Sequence, residues 1–528
     1  MKRLLLAIAS GLLFAVGWPT YGFPLFLFFA FVPLLVIEYQ LRLSHTRYKG
    51  LKVFGFAYLS FFIWNVCTTS WLWYADPFGA SFAILVNSLL MATVFRMYHG
   101  IAKRSSQLRA LVFLVALWLS FEKLHLGWEF SWPWLNLGNA FSEYTSLIQW
   151  YEYTGIFGGS LWIWLSNVLM YSAILKYRKE RSNVVLRTTG LQWAGLLLTP
   201  IIISLGIGYT HQLPEESVEV VLLQPNIDPY SEKYNTSNVE MGQLLLDLAK
   251  PQLTDSTAFI IAPETVFAEG VRLPQFKYSP VKTQLDGFIS EHPELNILTG
   301  ISFYDTFVDE SRVRSETNKH PNGFWYDDYN SALLLNATKD YQKYDKSKLV
   351  VGVENFPYQG ILQPIIGDAM IDLGGTVAMK TTQDERSVFT GVDSNHRAAP
   401  IICYESVYGE FVTGYVRNGA NFLAIITNDA WWNETQGHKQ HLSYARLRAI
   451  ETRRAIARSA NTGISAIINS KGEVIKRLGY NKKGALRGDV GLNEGITFYS
   501  IAGDYIARIA MFVALFVFLI VRFRKTRI

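Results

Sequence analysis

The feature that most limits how this chain can fold is a set of apolar runs confined to residues 1–209 and 500–521. A helix needs about 20 apolar residues to cross a bilayer core. Eight stretches approach that length: 4–20, 25–41, 53–73, 80–99, 110–127, 155–175, 190–209 and 500–521. The first two are the shortest, at about 17 residues each. No small-residue cleavage site precedes the second run, so residues 1–20 read as a retained span and not as a signal peptide. Half of the chain is hydrophobic, and 15 Trp, 28 Tyr and 34 Phe make it too aromatic for an ordinary soluble enzyme.

The charges between the runs set an orientation. Arg42, Arg47, Lys49 and Lys52 follow the second run; Arg96, Lys103, Arg104 and Arg109 surround the end of the fourth; Lys176, Arg178, Lys179, Arg181 and Arg187 follow the sixth. Lys2 and Arg3 precede the first run, and Arg522, Arg524, Lys525 and Arg527 follow the last. The alternate gaps, 21–24, 74–79 and 128–154, hold no Lys or Arg. Cytoplasmic loops carry the positive excess. Both termini are therefore expected in the cytoplasm, and the block between the seventh and eighth runs on the outer side. The net charge of +6 lies largely in this cytoplasmic fringe, so it implies no nucleic-acid partner. The expected organisation is a membrane domain of seven helices over 1–209, an extracytoplasmic domain over 210–499, and a last helix with a basic tail over 500–528.

Residues 210–499 read differently. "VEVVLLQPNI" (218–227), "AFIIAPE" (258–264), "LNILTGISFY" (295–304), "YNSALLLNA" (329–337), "APIICYE" (399–405), "NFLAIITND" (421–429) and "ISAIINSKGEVI" (464–475) are strand-like. Several are apolar on both faces, as strands covered on both sides must be. "GHKQHLSYARLRAIETRRAIAR" (437–458) reads as one long helix. The alternation predicts a layered α/β sandwich.

Three of these strands end in reactive side chains: Glu264, Cys403, and the pair Asn428–Asp429. Crevices open at strand carboxyl ends in α/β sheets. Cys67 lies in the third run, so Cys403 has no cysteine partner within its own domain. A lone cysteine is most often a small buried hydrophobe. As a nucleophile it needs a base, which a carboxylate can provide, and a fixed ammonium can stabilise the oxyanion formed by attack on an acyl carbon. "YQKYDKSKLVVGVENFP" (341–357) offers Lys343, Lys346, Lys348 and Glu354. Spacing alone does not say that these groups meet. His438 and His441, three apart, lack the further ligands that a metal site requires.

In this order, "APE", "YDKSKLV", "CYE" and "TNDAWW" resemble the nitrilase, or carbon-nitrogen hydrolase, superfamily. With many spans before such a domain and one after it, the chain resembles the apolipoprotein N-acyltransferase family. "LLQPNI" (222–227), "HKQHLSYARLRAIETRRAIARSANTGISAIIN" (438–469) and "WPWLNLGNAF" (132–141) extend the likeness over nearly the whole chain. The resemblance implies a nitrilase-type α-β-β-α sandwich attached to a multi-pass α-helical membrane domain of about eight spans. It implies that Glu264 is a general base, Lys346 the oxyanion-stabilising lysine and Cys403 the nucleophile. Glu354 would be an additional active-site carboxylate. Tyr404, Glu405, Asn428, Trp431 and Tyr234 would bind substrate or support the site. Two departures stand out: "KSKLVVGVE" lacks the proline and phenylalanine common in that loop, and Tyr234 stands where a tryptophan is frequent.

The activity implied is acyl transfer from a phospholipid, through a thioester on Cys403, to the N-terminal amine of a diacylglyceryl-cysteine lipoprotein. No cofactor or metal is implied. The location implied is a bacterial inner membrane, with the catalytic domain on the periplasmic side. A membrane-anchored amidase that hydrolyses the same acyl-enzyme is the alternative within enzymes. A transporter with a substrate-binding outer domain is less favoured, because the runs show no paired intramembrane charges. The apolar, glycine-containing stretch 356–375 reads as a lipid-facing arm or an internal packing loop.

Overall fold

The long apolar runs fold as α-helices, the one open-ended element that satisfies its backbone N–H and C=O groups within a single segment. In the computed structural model, which describes residues 1–361 and 378–523, helices cover Lys2–Val16, Val32–Leu43, Lys49–Thr69, Pro77–Ala102, Gln107–His125, Ile156–Glu180, Asn183–Thr210 and Tyr505–Phe523. They belong to one of two compact units, made of Met1–Trp73, Pro77–His211 and Ala502–Ile528. Among the described residues, six segments are long and apolar enough to cross a membrane: Pro24–Leu43, Lys49–Tyr74, Pro77–Ala102, Ile156–Glu180, Asn183–Thr210 and Tyr505–Phe523. The other two expected spans are helical as well, but Lys2–Val16 has only 15 residues and Gln107–His125 carries Arg109, Glu122 and Lys123.

One sequence expectation is corrected within this unit, the absence of paired charges in the runs. The span expected over 25–41 is present within Pro24–Leu43, with an internal break: Pro33 has no N–H to donate, and helix Leu27–Ala30 stops before Val32–Leu43 begins. Asn167 bridges the break, its Oδ1 accepting from Phe31 N–H at 2.8 Å and its Nδ2 donating to Leu27 O at 2.8 Å. Charges also meet inside the unit. Buried Glu38 lies 3.2 Å from Arg42 Nε and 2.8 Å from His99 Nδ1. The histidine sits on another helix, so no search within single runs reveals the pair.

The second unit comprises Tyr74–Asp76 and Gln212–Ile501. Its strands are β1 (Ser217–Gln224), β2 (Thr257–Ile261), β3 (Phe267–Arg272), β4 (Asn296–Phe307), β5 (Asn318–Lys319), β6 (Trp325–Asn336), β7 (Lys339–Asp345), β8 (Phe389–Thr390), β9 (Arg397–Ile402), β10 (Phe422–Thr427), β11 (Ile456–Ala460), β12 (Ser465–Ile468), β13 (Val474–Leu478) and β14 (Gly484–Gly491). Among the described residues they form two sheets. One runs β14-β1-β2-β4-β6-β5, with β3 on β4 and β7 on β6; the other runs β13-β12-β11-β10-β9-β8. β1, β2 and β4 are parallel, as are β9, β10 and β11.

Strand periodicity explains the layering. Successive side chains face opposite sides, so Val220 and Leu222 of β1 pack with Ile401, Ile425 and Ile456 of the facing sheet. Val221 and Leu223 pack instead with Met241 and Leu245 of helix Asn238–Ala249, and with Leu285 and Phe288 of helix Pro280–Glu291. Helices Gly409–Arg417 and Gln436–Thr452 supply Val412, Tyr415, Ala445 and Ala449 to the core on the second sheet. The domain is an α-β-β-α sandwich.

The helix expected over 437–458 ends early. It stops at Thr452, where Arg453 takes a left-handed conformation, and the chain enters β11 beside β10. The run 464–475 divides into the hairpin β12–β13. Residues 362–375 of the expected lipid-facing arm lie outside the described residues.

Candidate active site

The carboxyl end of β2 presents Glu264. Ala262 N–H still donates to Leu298 O of β4 at 2.8 Å, and Gly300 N–H donates to Pro263 O at 3.2 Å, so β4 grips the turn on both sides of the proline. Thr265, the next residue, has a φ of +41°, a left-handed strain for a β-branched side chain. This turn carries Glu264 into the domain, where only 6% of it is exposed.

Lys346 follows β7 and is held by its backbone N–H, which donates to Asn330 O of β6 at 2.9 Å. Its Nζ donates to Glu264 Oε1 at 2.8 Å and to Glu354 Oε1 at 3.0 Å. Asn330 completes the cluster, its Nδ2 standing 2.9 Å from both of those carboxylate oxygens. Glu354 Oε2 accepts from Val350 N–H at 2.8 Å, which fixes the loop after the lysine. Burial pushes the Glu264 carboxyl up, but the Lys346 ammonium, with Lys233 and Asn330, outweighs burial and holds it below the usual carboxylate range. Burial pulls Lys346 down, and Glu264 and Glu354 more than reverse it, so the ammonium is held well above its ordinary value.

Cys403 follows β9 with a φ of +50° and opens the short 3-10 turn Cys403–Val407. Glu405, fully buried, binds both sides of this turn: its carboxylate accepts from Ile402 N–H at 2.8 Å, Ser347 N–H at 2.7 Å and Tyr344 O–H at 2.6 Å. It thereby ties the strand end that carries Cys403 to the loop that carries Lys346. From the other side, the Cys403 carbonyl accepts from Ser406 Oγ at 2.7 Å and lies 3.2 Å from His441 Nε2. His441 Nδ1 is 2.9 Å from Asp429 Oδ1, and Arg458 Nη2 donates to Asp429 Oδ2 at 2.6 Å. Burial, and then the charge on Glu264, push the Cys403 thiol up, and Lys346 only partly offsets them. At rest the pair is a protonated thiol and an ionised carboxylate.

The structure thus brings Glu264, Lys346 and Glu354 into one hydrogen-bonded cluster, with Cys403 close enough to feel two of their charges. It gives the remaining expected residues varied positions. Tyr404 is buried, its ring edge-on to Tyr408 at 5.2 Å. Asn428 is buried at the end of β10; its Oδ1 accepts from Ala430 N–H at 3.3 Å and Asn461 Nδ2 at 3.2 Å, while its Nδ2 has no acceptor among the described residues. Trp431 is half-buried and edge-on to Tyr230 at 5.2 Å. Tyr234 is exposed, and it is the preceding residue, Lys233, that turns inward and donates to Thr265 Oγ1.

Sequence reasoning missed Lys233, Asn330 and the Asp429–His441–Arg458 cluster. Asn330 was visible as a polar residue in the apolar run of β6, and Lys233 as a lysine just after "QPNI". Nothing in the sequence marked Arg458, which lay in the mistaken helix.

Known proteins resemble the chain along its length. Residues 10–169 match the model for the apolipoprotein N-acyltransferase N-terminal domain, and residues 308–497 match that for carbon-nitrogen hydrolase. An apolipoprotein N-acyltransferase of Chlorobaculum tepidum is 28% identical over 537 residues, covering 99% of this chain and 97% of that protein. One of Allorhizobium ampelinum is 30% identical over 506 residues, covering 92% and 89%. Among solved structures, a Nesterenkonia amidase of the nitrilase superfamily covers 56% of this chain and 99% of its own at 15% identity and a TM-score of 0.37, so the sandwich rests on the sheet order above and not on that neighbour. Glu264 precedes the hydrolase match, and the full-length relatives span it together with Lys346 and Cys403.

Proposed function

The chain belongs to the apolipoprotein N-acyltransferase family, and from that premise we propose that it moves a fatty acyl chain from a membrane phospholipid, through a thioester on Cys403, to the N-terminal amine of a diacylglyceryl-cysteine lipoprotein. The observation that carries this reading is the buried Lys346 ammonium shared between Glu264 and Glu354 beside a protonated cysteine.

In the first half-reaction Cys403 Sγ attacks an ester carbonyl of the phospholipid, and its proton passes to Glu264. Lys346 stabilises the tetrahedral oxyanion. The carbon–oxygen bond breaks, Glu264 returns the proton to the departing alkoxide, and lysophospholipid leaves. In the second half the acceptor amine attacks the thioester and gives its proton to Glu264. The carbon–sulfur bond breaks, and the proton returns to Cys403. Glu354 and Asn330 hold Lys346 and Glu264 in position, and Glu405 holds the cysteine turn. Both substrates carry acyl chains that cost about 0.8 kcal/mol per CH₂ to expose to water, which fits a chain that carries its own membrane-spanning helices. The site domain is assigned to the periplasmic side of the inner membrane, on the charge asymmetry of the loops.

The test is intact mass. Protein incubated with phospholipid alone gains one fatty-acyl mass, neutral hydroxylamine removes it, and Cys403→Ala never acquires it. A diacylated lipopeptide with a free amine discharges it, and the N-acetylated lipopeptide does not. Continuous release of free fatty acid, with no adduct in rapid-quench samples and no acylated lipopeptide, leaves only the amidase.

A further inference from the structure

A second ammonium lies in this site, and the reaction above gives it no bond to substrate. Lys233 is only 5% exposed. Its Nζ donates to Oγ1 of Thr265, the residue after the general base. An ammonium carries three N–H donors, yet among the described residues no other acceptor and no carboxylate partner is found for this one. The carboxylates nearby are engaged elsewhere: Glu264 and Glu354 with Lys346, and Asp328 with Lys380 at 2.8 Å. Two aromatic rings flank the ammonium, Tyr234 at 5.5 Å and Trp431 at 5.9 Å from ring centroid to Nζ. Ring faces attract a cation but do not use its N–H donors. Burial, opposed by Glu264 and by Cys403 but reinforced by Lys346 and Lys380, brings Lys233 down to about 8. Among the described residues, no anion is hydrogen-bonded to this buried cation.

We infer that Lys233 is the anion subsite of the acyl-donor pocket, and that the anion it receives is the phosphodiester of the glycerophospholipid. The inference rests on the phospholipid reading above. A glycerophospholipid carries a phosphodiester a few bonds from its ester carbonyls, and an ammonium with unused donors is a natural phosphate ligand. The half-buried and exposed rings of Trp431, Tyr230 and Tyr234 give this mouth of the site an amphipathic rim, suited to a molecule that is apolar at one end and charged at the other. The acceptor, a diacylglyceryl thioether, has no phosphate. Lys233 therefore separates donor from acceptor in a single pocket, and separates a phospholipid from a neutral diacylglycerol.

Full-length protein is compared as wild type, Lys233→Met and Lys233→Arg. Acyl-enzyme formation is timed with phosphatidylglycerol in mixed micelles and with the p-nitrophenyl ester of the same fatty acid, which has no phosphate. Lys233 also bears on the charge of Glu264, so the quantity read is the ratio of the two donors' half-saturating concentrations: Lys233→Met is expected to raise phosphatidylglycerol over the p-nitrophenyl ester by about 10- to 100-fold, the loss of one charge-assisted bond, whatever loss of rate the two donors share. Lys233→Arg restores most of the difference. Excess inorganic phosphate leaves the phosphatidylglycerol dependence unchanged; phosphate that competes as well as the lipid overturns the lipid assignment. Equal loss with both donors, or no loss with phosphatidylglycerol, overturns the inference. Wild-type protein acylated by the p-nitrophenyl ester but never by phospholipid refutes the donor reading itself, and the subsite with it. The wild type supplies an independent check should Lys233→Met not fold. Half-saturating phosphatidylglycerol rises above pH 8 as Lys233 loses its proton, while the p-nitrophenyl ester shows no such rise; parallel profiles overturn the inference.

Discussion

Gly300 is the residue whose replacement tests most directly whether the position of Glu264 sets the rate. It lies in the middle of β4 opposite Ala332. A Cβ added there would stand 2.3 Å from Thr265 N and 2.7 Å from Glu264 Cα. Both contacts are backbone, so no rotamer change relieves them. Ordinary contact begins at 3.4 Å, so in Gly300→Ala the turn at Thr265 has to retreat by about 1.1 Å. Glu264 Oε1 now accepts at 2.8 Å from Lys346 and 2.9 Å from Asn330, and a shift of that size carries both bonds beyond useful range. A misplacement of about 1 Å costs on the order of 10²-fold in rate. The strain of overpacking, about 1–3 kcal/mol, is less than the 5–15 kcal/mol that holds a typical domain together. The expected result is a folded protein that forms acyl-enzyme about 100-fold more slowly in single-turnover intact-mass measurements. Gly270→Ala is the control, since its Cβ would meet only the Tyr304 ring at 3.4 Å. A folded Gly300→Ala protein that acylates as fast as Gly270→Ala would refute the argument that the β4–Glu264 approach positions the base.

Three further outcomes are expected. Lys346→Met slows acyl-enzyme formation by roughly 10²–10³-fold; because the depressed Glu264 carboxyl stabilises the fold above its unfolded pKa and loses that contribution as pH falls through its folded value, the variant also unfolds at a higher pH in acid titration, and an unchanged acid midpoint contradicts the assigned pairing. Glu405→Gln, which cannot accept from three donors as a carboxylate does, costs about 1–3 kcal/mol in denaturant titration; an unchanged midpoint removes Glu405 as the tie between the Lys346 and Cys403 loops. A cysteine introduced at exposed Lys319 reacts with a membrane-impermeant thiol reagent in intact, outer-membrane-permeabilised cells, and reaction only after lysis reverses the orientation.

Glu264 and Cys403 were legible because each stands at or just beyond the end of a strand, and short apolar runs announce strands; Lys346 was set apart from Lys343 and Lys348 only by the resemblance of its motif. What the sequence hid was pairing at a distance. Asn330 lies 66 residues from Glu264 and meets it only because β6 lies beside β4 in the sheet. The helix 437–458 overran because "RRAIARSA" has acceptable helix propensity; burial against β10 overrides that propensity and makes β11 a strand, which brings Arg458 to Asp429. Lys233 turns inward and Tyr234 does not, and a polar segment with no period gives no clue to which neighbour will. The Glu38–His99 contact was equally out of reach, since its partners share no run.

The resting charges explain why the thiol can stay protonated without harm to catalysis. Lys346 is bonded to two carboxylates, so the cluster of Glu264, Glu354 and Lys346 already carries one net negative charge. A preformed thiolate would add an uncompensated charge in a medium where burial already pushes the thiol up. In the proposed reaction, the proton of the attacking Cys403 neutralises Glu264 and the negative charge appears instead on the carbonyl oxygen. The total does not change; it moves from Glu264 to the substrate, while Lys346 remains in place and is released from the partner that has just lost its charge. Activation of the nucleophile and stabilisation of the oxyanion are then one event, with the ammonium in position before the reaction begins. Such a site does not need a cysteine of low pKa. It needs Glu264 to be close, ionised and bonded to Lys346, the arrangement that Gly300 and Asn330 maintain.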